Sequence, residues 1–476
     1  MRLLPKPSLV GLLFIHCLLL LSNRSVAQET QGMALSNYSI TTAARLNPSL
    51  MVDPKAFLDI NLVGSNGFAY NNYLYSPKSV SFPAGALAEG YDGLFENLGG
   101  NRKNGIVNLF LPGPSFTASI GRLSIGAGVA VRGVANLRKL PEHFARFAFR
   151  GLNFDDLHGT TWDDGNFNVK YMGWAEVSAS YGYSFYQWNR DMWQGGVTLK
   201  RLFGLAHGAL IVDELQYFVP DTVDFDILNF SGRYAYSDVG WNVGRGWGMD
   251  LGVTYKKMKE NVTNYVPHSR ANGCREVDYL YKVGVSLLDL GYIRYKTNAN
   301  VRILDNVSAD WDNYWRDTSN QAEVLDRAIL SKFAEGDITT DTRYWAPLPT
   351  AITAHIDYNV YKDFYLGGVV VQRFGRPNNY GVERGNLLSI IPRYEKRFFE
   401  ASLPVSLYDY RNPRIGISLR FWAIVLGTEN VIPFIIPTDT YSSDGFFFLK
   451  YMLINKRQCK GANGRSRRAK CPGPAR

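Results

Sequence analysis

The segment AEVSASYGYSF, residues 175–185, alternates apolar and polar or small residues along its length. Val177 and Tyr181 fall on one face of an extended chain, and Glu176 and Ser178 fall on the other. A period of two indicates a β-strand whose faces meet different environments. The run also exceeds the ~5–6 residues of an average soluble strand and suits the ~9–11 residues of a tilted transmembrane strand.

The same alternation recurs at residues 247–255, 352–360 and 415–421. Turn-forming dipeptides separate many of the strand candidates, which predicts hairpins and therefore antiparallel pairing. These dipeptides are Asn66–Gly67, Gly121–Arg122, Asn189–Arg190 and Lys362–Asp363. The pattern predicts about 14 strands, an even number if both chain ends lie on the same, periplasmic side of a membrane. Long extracellular loops are expected to hold short helices at residues 141–147 and near 322–333.

The composition favours an all-β transmembrane antiparallel barrel over a soluble β-sandwich. Of 476 residues, 14% are aromatic, 20% are charged and 45 are glycine. The mean hydropathy is −0.16, which suits strands with one lipid-facing and one polar face. Trp188, Trp241 and Trp247 lie near the ends of strand candidates. Tyr and Trp favour this level because their ring bodies are apolar and their tips are polar.

The amino terminus has the three parts of a secretory signal. Arg2 and Lys6 precede an apolar run over residues 9–21, and Ser25-Val26-Ala27 offers small residues for cleavage. The run is shorter than the ~20 residues of a spanning helix. We therefore predict a signal peptide at residues 1–27 and a mature chain in a bacterial outer membrane. Its expected partners are outer-membrane lipid, lipopolysaccharide and, during biogenesis, the barrel-assembly machinery.

The predicted mature chain has three parts: a lead-in or hatch at residues 28–55, a barrel at 56–454 and a basic tail at 455–476. The formal net charge is +10, and the tail has Lys and Arg but no acid. A charge concentrated in one terminus is no argument for nucleic-acid binding. The tail is either a solvated periplasmic segment or a contact for an acidic periplasmic partner or anionic headgroups. Whether Cys459 and Cys471 pair stays open.

The alternation predicts which polar side chains point into the lumen. They are Glu176, Asp250, Arg294, His355, Asp357 and Arg420. Charges of both signs in a small lumen favour pairing, whereas an open pore usually presents rings of one sign. We therefore expect a plugged or narrow barrel. A lone luminal histidine such as His355 is expected to be a hydrogen-bonded filler and not a catalytic base.

Enzyme motifs are absent from the sequence. It contains no GxSxG, no HExxH and no phosphate-binding glycine loop. The cysteines show no metal-ligand spacing. We predict a protein that is not an enzyme and has no metal and no cofactor.

Residues 37–50, NYSITTAARLNPSL, precede the first strand candidate. The triplet Asn47-Pro48-Ser49 resembles the amino-terminal Asn-Pro-Ala/Ser motif of long-chain fatty-acid transporter-like barrels. The whole pattern is more similar to a Bacteroidota outer-membrane family of uncharacterised function. In that family, short segments resembling LPTA (348–351), PRYEKR (392–397) and LPVS (403–406) recur.

The resemblance implies a barrel of roughly 14 strands whose amino-terminal segment folds into the lumen as a hatch. In the fatty-acid transporters such a hatch gates a path for hydrophobic ligands, which implies a ligand or hatch role for Asn47, Pro48 and Ser49. The residues alone predict only a turn at Asn47–Pro48. Two functions are compatible with the sequence. The first is passage of a hydrophobic or small molecule across the outer membrane, and the second is docking of a secretion or envelope partner by a closed barrel.

Overall fold

The computed structural model describes residues 30–77, 94–152, 154–269, 276–311, 322–333, 335–375, 379–436 and 438–454. The predicted signal peptide, the predicted basic tail, Cys459 and Cys471 lie outside the described residues. Within them, no helix is both long and apolar enough to cross a membrane.

The described chain consists mainly of strands. They are β1 Leu58–Asn71, β2 Leu74–Tyr75, β3 Phe95–Glu96, β4 Lys103–Ile120, β5 Leu123–Leu140, β6 Thr161–Asp163, β7 Phe167–Trp188, β8 Asp191–Phe218, β9 Phe225–Ser237, β10 Gly244–Met258, β11 Tyr279–Tyr295, β12 Ala299–Trp311, β13 Glu335–Asp341, β14 Tyr344–Pro347, β15 Ala351–Tyr361, β16 Phe364–Arg373, β17 Leu387–Glu395, β18 Phe399–Ser402, β19 Val405–Tyr408, β20 Asn412–Ile415, β21 Ile417–Phe421, β22 Ile424–Thr428 and β23 Ser442–Leu453. The α-helices are α1 Gln31–Ala34, α2 Ile40–Ala43, α3 Glu142–Arg150, α4 Ala322–Lys332 and α5 Ile432–Ile435, and 3-10 turns cover Pro48–Met51 and Asp155–Leu157.

The main sheet closes on itself because β1 pairs antiparallel with both β4 and β23. Several crossings are built from pieces that follow one another along the chain: β9 with β10, β11 with β12, β13 to β15, β18 with β19, and β20 with β21. When each such set of pieces is counted as one strand that crosses the barrel wall, the structure is a closed antiparallel barrel of 14 strands. This confirms the predicted fold class.

The two ends of the barrel differ in their connections. Tight turns join strands at one end, here called the short-turn end, and Asn189, Lys362 and Trp422 in these turns have φ of 52°, 47° and 49°. Positive φ is typical of two-residue hairpin turns that match the twist of the strands. The predicted hairpin at Asn66–Gly67 is wrong, because both residues lie inside β1 and pair with β4 and β23.

The strands present apolar side chains outward and polar side chains inward. On β15, Ile352 and Ile356 are 44% and 51% exposed, whereas Thr353 and Asp357 are both 0% exposed. The same contrast holds along β8, where Leu199 is exposed and Lys200 is buried. An apolar outer belt around a polar interior is the arrangement expected of a barrel in lipid.

The predicted luminal position of Arg294 is wrong. Ile293 and Tyr295, on either side of it in β11, are fully buried, and Arg294 stacks on the exposed ring of Trp345. The cause is a β-bulge between Leu287 and Leu290 in the pairing with β10, where Asp289 has a φ of 54°. One extra residue reverses the inward and outward assignment of every later position in a strand.

The long-loop end extends beyond the apolar belt. β8 has 28 residues, and its last part exposes Asp213, Glu214 and Gln216. Helix α3 packs there over a cluster of buried apolar side chains, with Phe147 stacked on Phe225 at a ring distance of 5.4 Å. The interior of this end is therefore filled by a hydrophobic core.

The assignment of faces on β8 predicts opposite outcomes for two arginine substitutions. Leu199→Arg places a charge in the middle of the outer belt, and we expect it to lower the free energy of unfolding by about 2–4 kcal/mol. Gln216→Arg, beyond the belt on the same strand, is expected to change it by less than about 0.5 kcal/mol. Guanidinium unfolding of both variants in lipid vesicles measures the difference. Equal effects would contradict the position of the belt.

Candidate functional site

Residues 30–57 enter the barrel from the short-turn end and lie inside its lumen; we call them the plug. At the entrance, the amide N of Phe57 donates to the carbonyl O of Leu453, at the end of the last strand. Nearly all of the plug is buried, including the fully buried Met33, Leu35 and Met51. The segment predicted as a lead-in or hatch, residues 28–55, therefore lies within the lumen over its described part, residues 30–55.

The triplet Asn47-Pro48-Ser49 anchors the plug to the wall. The Asn47 Oδ1 accepts hydrogen bonds from the Ser49 amide N at 2.9 Å and from Ser49 Oγ at 2.6 Å, which caps the 3-10 turn that begins at Pro48. Asn47 Nδ2 donates to the Val285 carbonyl O at 3.1 Å. Ser49 Oγ lies 2.6 Å from Thr254 Oγ1. The motif therefore stabilises both a turn within the plug and its contact with β10 and β11.

Gly196 and Gly252 make room for this anchor on the inner wall, and we call them the glycine recess. A Cβ at Gly196 would lie 2.4 Å from the backbone carbonyl C of Pro48, and one at Gly252 would lie 1.9 Å from Asn47 Oδ1. Both distances are shorter than any side chain tolerates. A glycine within a strand often marks a close approach of another backbone segment, and here that segment is the anchor.

Buried lysines of the wall hold the rest of the plug. Lys282 Nζ donates to the Leu35 carbonyl O and to Asn37 Oδ1, both at 3.1 Å. Lys450 Nζ donates to hydroxyls of the plug, including Ser39 Oγ at 2.7 Å. Lys256 Nζ reaches the Asp53 carbonyl O at 3.0 Å and its carboxylate at 3.3 Å. Burial raises the pKa of Asp53, and Lys256 opposes that shift.

A first charge network lies under the plug near the short-turn end. Arg393 bridges Asp357 at 2.9 Å and Glu395 at 3.0 Å, and Arg420 bridges Glu400 at 3.0 Å. All five side chains have no exposed area. The plug joins the network through Asn37 Nδ2, which donates to Glu395, and Ser36 Oγ, which donates to Glu400 at 2.7 Å.

The structure thus gathers Asp357 and Arg420, two of the residues predicted to be luminal, in one network. His355 is also buried, beside Gly284 of β11, but the predicted hydrogen bond is not found, because neither ring nitrogen has a partner among the described residues. Arg393, Glu395 and Glu400 are network members that the alternation did not single out. Arg393 and Glu395 occupy alternate positions of β17, so the same period of two carried the signal.

A second charge network lies at mid-height, centred on Asp289. Its carboxylate accepts two hydrogen bonds from Arg132 at 2.7 and 2.9 Å, one from Lys200 at 2.7 Å and one from Arg384 at 2.7 Å. The predicted luminal residues Asp250 and Glu176 complete it: Asp250 pairs with Lys200 at 2.7 Å, and Glu176 lies 3.6 Å from Arg132. Asp289 had no signal in the sequence, because the bulge that turns it inward interrupts the alternation.

A cavity of about 140 Å³ lies between the plug, the second network and the inner wall. Thr42, Arg45 and Leu46 of the plug line one side. Phe110 and Phe448 of the wall add aromatic surface, and the guanidinium of Arg45 lies 3.4 Å from the centroid of the Phe110 ring. The cavity therefore offers both apolar and charged surface.

The barrel wall is interrupted where this cavity meets it. Residues 62–65 of β1 make no ladder pairs with residues 111–114 of β4, although the two strands are paired in the same register on both sides of the break. We call these two segments the wall gap. Phe116 and Val129, whose side chains are exposed on the outer face, also line the cavity. Together with Pro112, which belongs to the wall gap, these residues place the cavity directly behind the gap.

Prolines explain the wall gap. Pro112 and Pro114 have no amide N–H to donate, so β4 cannot complete the ladder there. β1 is irregular at the same height, with a bulge between Asn61 and Val63 in its pairing with β23. The Asn61 Nδ2 donates to the Gly113 carbonyl O at 3.1 Å and replaces one missing backbone bond. The break therefore follows from the local sequence.

Residues 48–429 match a protein family of unknown function, DUF5723. The chain belongs to this family. Membership of an uncharacterised family was predicted and is confirmed, while its assignment to Bacteroidota stays a prediction. No curated protein matches the chain.

Three of the solved structures with a similar chain trace have low sequence identity to this chain. The toluene transporter TbuX of Ralstonia pickettii is 10% identical, with 91% of this chain and 96% of that chain covered and a TM-score of 0.39. A FadL homologue of Pseudomonas aeruginosa is 11% identical, with 90% and 98% covered and a TM-score of 0.38. A TodX deltaS2S3 mutant, a monoaromatic hydrocarbon channel, is 9% identical, with 90% and 99% covered and a TM-score of 0.42.

The glycine recess predicts a contrast between two adjacent residues of β8. Gly196→Ala forces a Cβ against the Pro48 backbone, so we expect the anchor to detach and amide hydrogen exchange over residues 44–52 to rise at least tenfold. Gly195→Ala points outward, where its Cβ meets the Phe185 ring at an ordinary 3.5 Å, and should leave this exchange unchanged. Equal exchange in both variants would show that the anchor does not depend on the recess.

Proposed function

We propose that this chain passes a small hydrophobic or amphipathic molecule across a bacterial outer membrane, with the plug as its gate. The observation that carries the proposal is the cavity that touches the plug on one side and the wall gap on the other. A closed lumen joined to a break in the barrel wall gives a path that need not run the full length of the barrel.

The position of the wall gap supports exchange with lipid. Leu62 and Val63, which belong to it, are 48% and 52% exposed. Unpaired backbone groups facing hydrocarbon are costly, and spanning barrels normally close every ladder. Prolines that keep the ladder open at this height therefore argue for a use of the opening. A molecule that prefers hydrocarbon would leave or enter the cavity there.

The polar nature of the contacts between the plug and the wall supports a gate that works by movement of the plug. Many of its contacts with the wall are hydrogen bonds and ion pairs, such as those from Lys256, Lys282 and Lys450. Each such bond to a charged group contributes about 1.5–3 kcal/mol to stability, and water that enters as the plug moves can take its place. The cavity beside the plug combines aromatic rings with charged groups, which suits a substrate that has both an apolar body and a polar end.

The second candidate is a closed barrel that docks an envelope partner. The observation in its favour is the filled long-loop end, where the cluster around Phe147 and Tyr217 is buried. Residues 379–386 also fold inward and contact the second network through Arg384. This candidate predicts neither uptake nor conductance.

Removal of the plug separates the two candidates. We expect cells that lack their own channel for hydrophobic solutes to take up radiolabelled oleate when they express the full chain. A chain without residues 28–55 should change that uptake severalfold and should conduct ions in planar bilayers. Heat-modifiable migration on gels controls for folding. A folded barrel that supports neither uptake nor conductance in either form would leave docking as the function.

A disulfide across the wall gap tests the lateral path. In a background with Cys274, Cys459 and Cys471 replaced by Ser, the pair Ser65→Cys/Leu111→Cys joins the two sides of the gap. We expect oxidation to reduce oleate uptake at least fivefold and reductant to restore it.

The control for this test is Ala69→Cys/Val107→Cys, which joins the same strands where they are already paired. Oxidation should leave its uptake unchanged. Undiminished uptake in the oxidised gap variant would rule out the lateral path, whether or not the plug acts as a gate.

A further inference from the structure

Basic side chains lie on the outer face of β8, β10 and β11 and just beyond the ends of β11 and β14. We call Arg201, Arg245, Arg294, Lys296 and Arg343 the basic patch. Arg245 lies directly opposite Arg294 in the β10–β11 ladder, and Trp247, next to it on the same face, lies opposite Arg201 of β8. The sequence pattern did not predict the patch, because alternation assigned Arg294 to the lumen and the bulge at Asp289 brings it to the outer face.

The patch marks the edge of the apolar belt towards the long-loop end. The outward face of β8 is apolar from the exposed Trp193 to Phe203, apart from Arg201. That stretch is about 33 Å long when measured along the strand. At the usual tilt it spans about 25 Å along the membrane normal, which is the height of the apolar band of such barrels. Beyond it the exposed residues are polar, beginning with Asp213 and Glu214. Arg245, in register with Phe203, is therefore at headgroup level.

Aromatic rings hold the arginines of the patch against the wall. The Arg201 guanidinium lies 4.9 Å from the centroid of Trp247, and that of Arg294 lies 4.9 Å from Trp345. Trp241 stacks on Phe203 at 6.0 Å. Such stacking orients a guanidinium and leaves its N–H groups available to bind an anion.

The patch has no anionic partner among the described residues. None of its members forms an ion pair with a described carboxylate. The side chain of Arg201 donates to the Gly246 carbonyl O, and that of Arg245 donates to the Oδ1 of Asn242. Like charges directly opposite one another destabilise a sheet. An external anion between Arg245 and Arg294 would remove that repulsion.

Two acids close to the patch in sequence, Asp238 and Asp341, are engaged elsewhere. Asp238 accepts a hydrogen bond from the side chain of Asn298, and Asp341 accepts from the backbone amides of Thr342 and Arg343. Neither carboxylate therefore neutralises the guanidinium groups of the patch within the described part of the chain.

We propose that the basic patch binds the phosphate groups of a phosphorylated glycolipid, lipid A, in the outer leaflet. Arginine forks match phosphate oxygens in pairs, and basic clusters at headgroup level recognise anionic lipids. A lipid accounts for both the basic patch and the apolar surface next to it, because its phosphates would bind the patch while its acyl chains would lie along the apolar belt at Leu199 and Val253. The inference rests on the outer-membrane location in the proposed function, but not on transport.

The test compares two double variants of the full chain. Arg245→Gln/Arg294→Gln removes the facing pair. Lys396→Gln/Arg397→Gln removes an exposed basic pair beside the rings of Tyr394 and Phe398 at the opposite rim. Native mass spectrometry of each protein in detergent, titrated with bisphosphorylated lipid A, measures binding. We expect the patch variant to lose at least tenfold in affinity and the rim variant to bind as the unmodified chain does.

Two further measurements identify the ligand. Dephosphorylated lipid A should bind the unmodified chain as weakly as bisphosphorylated lipid A binds the patch variant. Millimolar inorganic phosphate should not displace lipid A; displacement would mean that a free anion is the ligand and would overturn the proposal. Equal lipid A binding by both variants would also overturn it. Oleate uptake is a separate readout that the patch variant should keep, so failure of transport and failure of lipid binding are distinguishable.

Discussion

Closure of the sheet between β1 and β23 is the constraint on which the rest of the structure depends. Backbone groups that face hydrocarbon must find partners within the protein, and only a closed ladder supplies them for strands. Within the outer belt most outward side chains are then apolar, and the inward polar side chains of the strands share one small lumen. The wall gap is a local exception, set by Pro112 and Pro114.

A lumen that receives charges from so many strands must neutralise them. Unpaired charges in such a space would be strongly destabilising. The networks around Asp289 and Arg393 satisfy this requirement, and the plug takes part in it through its backbone carbonyls and amide side chains. The plug is therefore an element of the charge balance as well as a barrier, which links any movement of the plug to the rearrangement of ionic contacts.

Much of the fold was predictable because a two-residue period is local. It assigned Glu176, Asp250 and Asp357 to the polar face, and all three side chains are buried in the barrel. It failed for Arg294, since a single bulge reverses the assignment of every later residue and leaves no local signal. The triplet at Asn47 drew attention by resemblance, yet its glycine recess is formed by β8 and β10, which are distant from it in the chain.

By itself, the sequence determined the alternation of faces along uninterrupted strands and the absence of amide donors at Pro112 and Pro114, because each depends on neighbouring residues or on the covalent structure of proline. The tertiary structure alone decided which charges meet, where the plug lies and which basic groups face lipid. Arg384 and Asp289 are 95 residues apart, and their 2.7 Å contact exists only once the barrel has closed. Partner choice across a lumen is set by strand register and bulges, and these follow from pairing between distant segments.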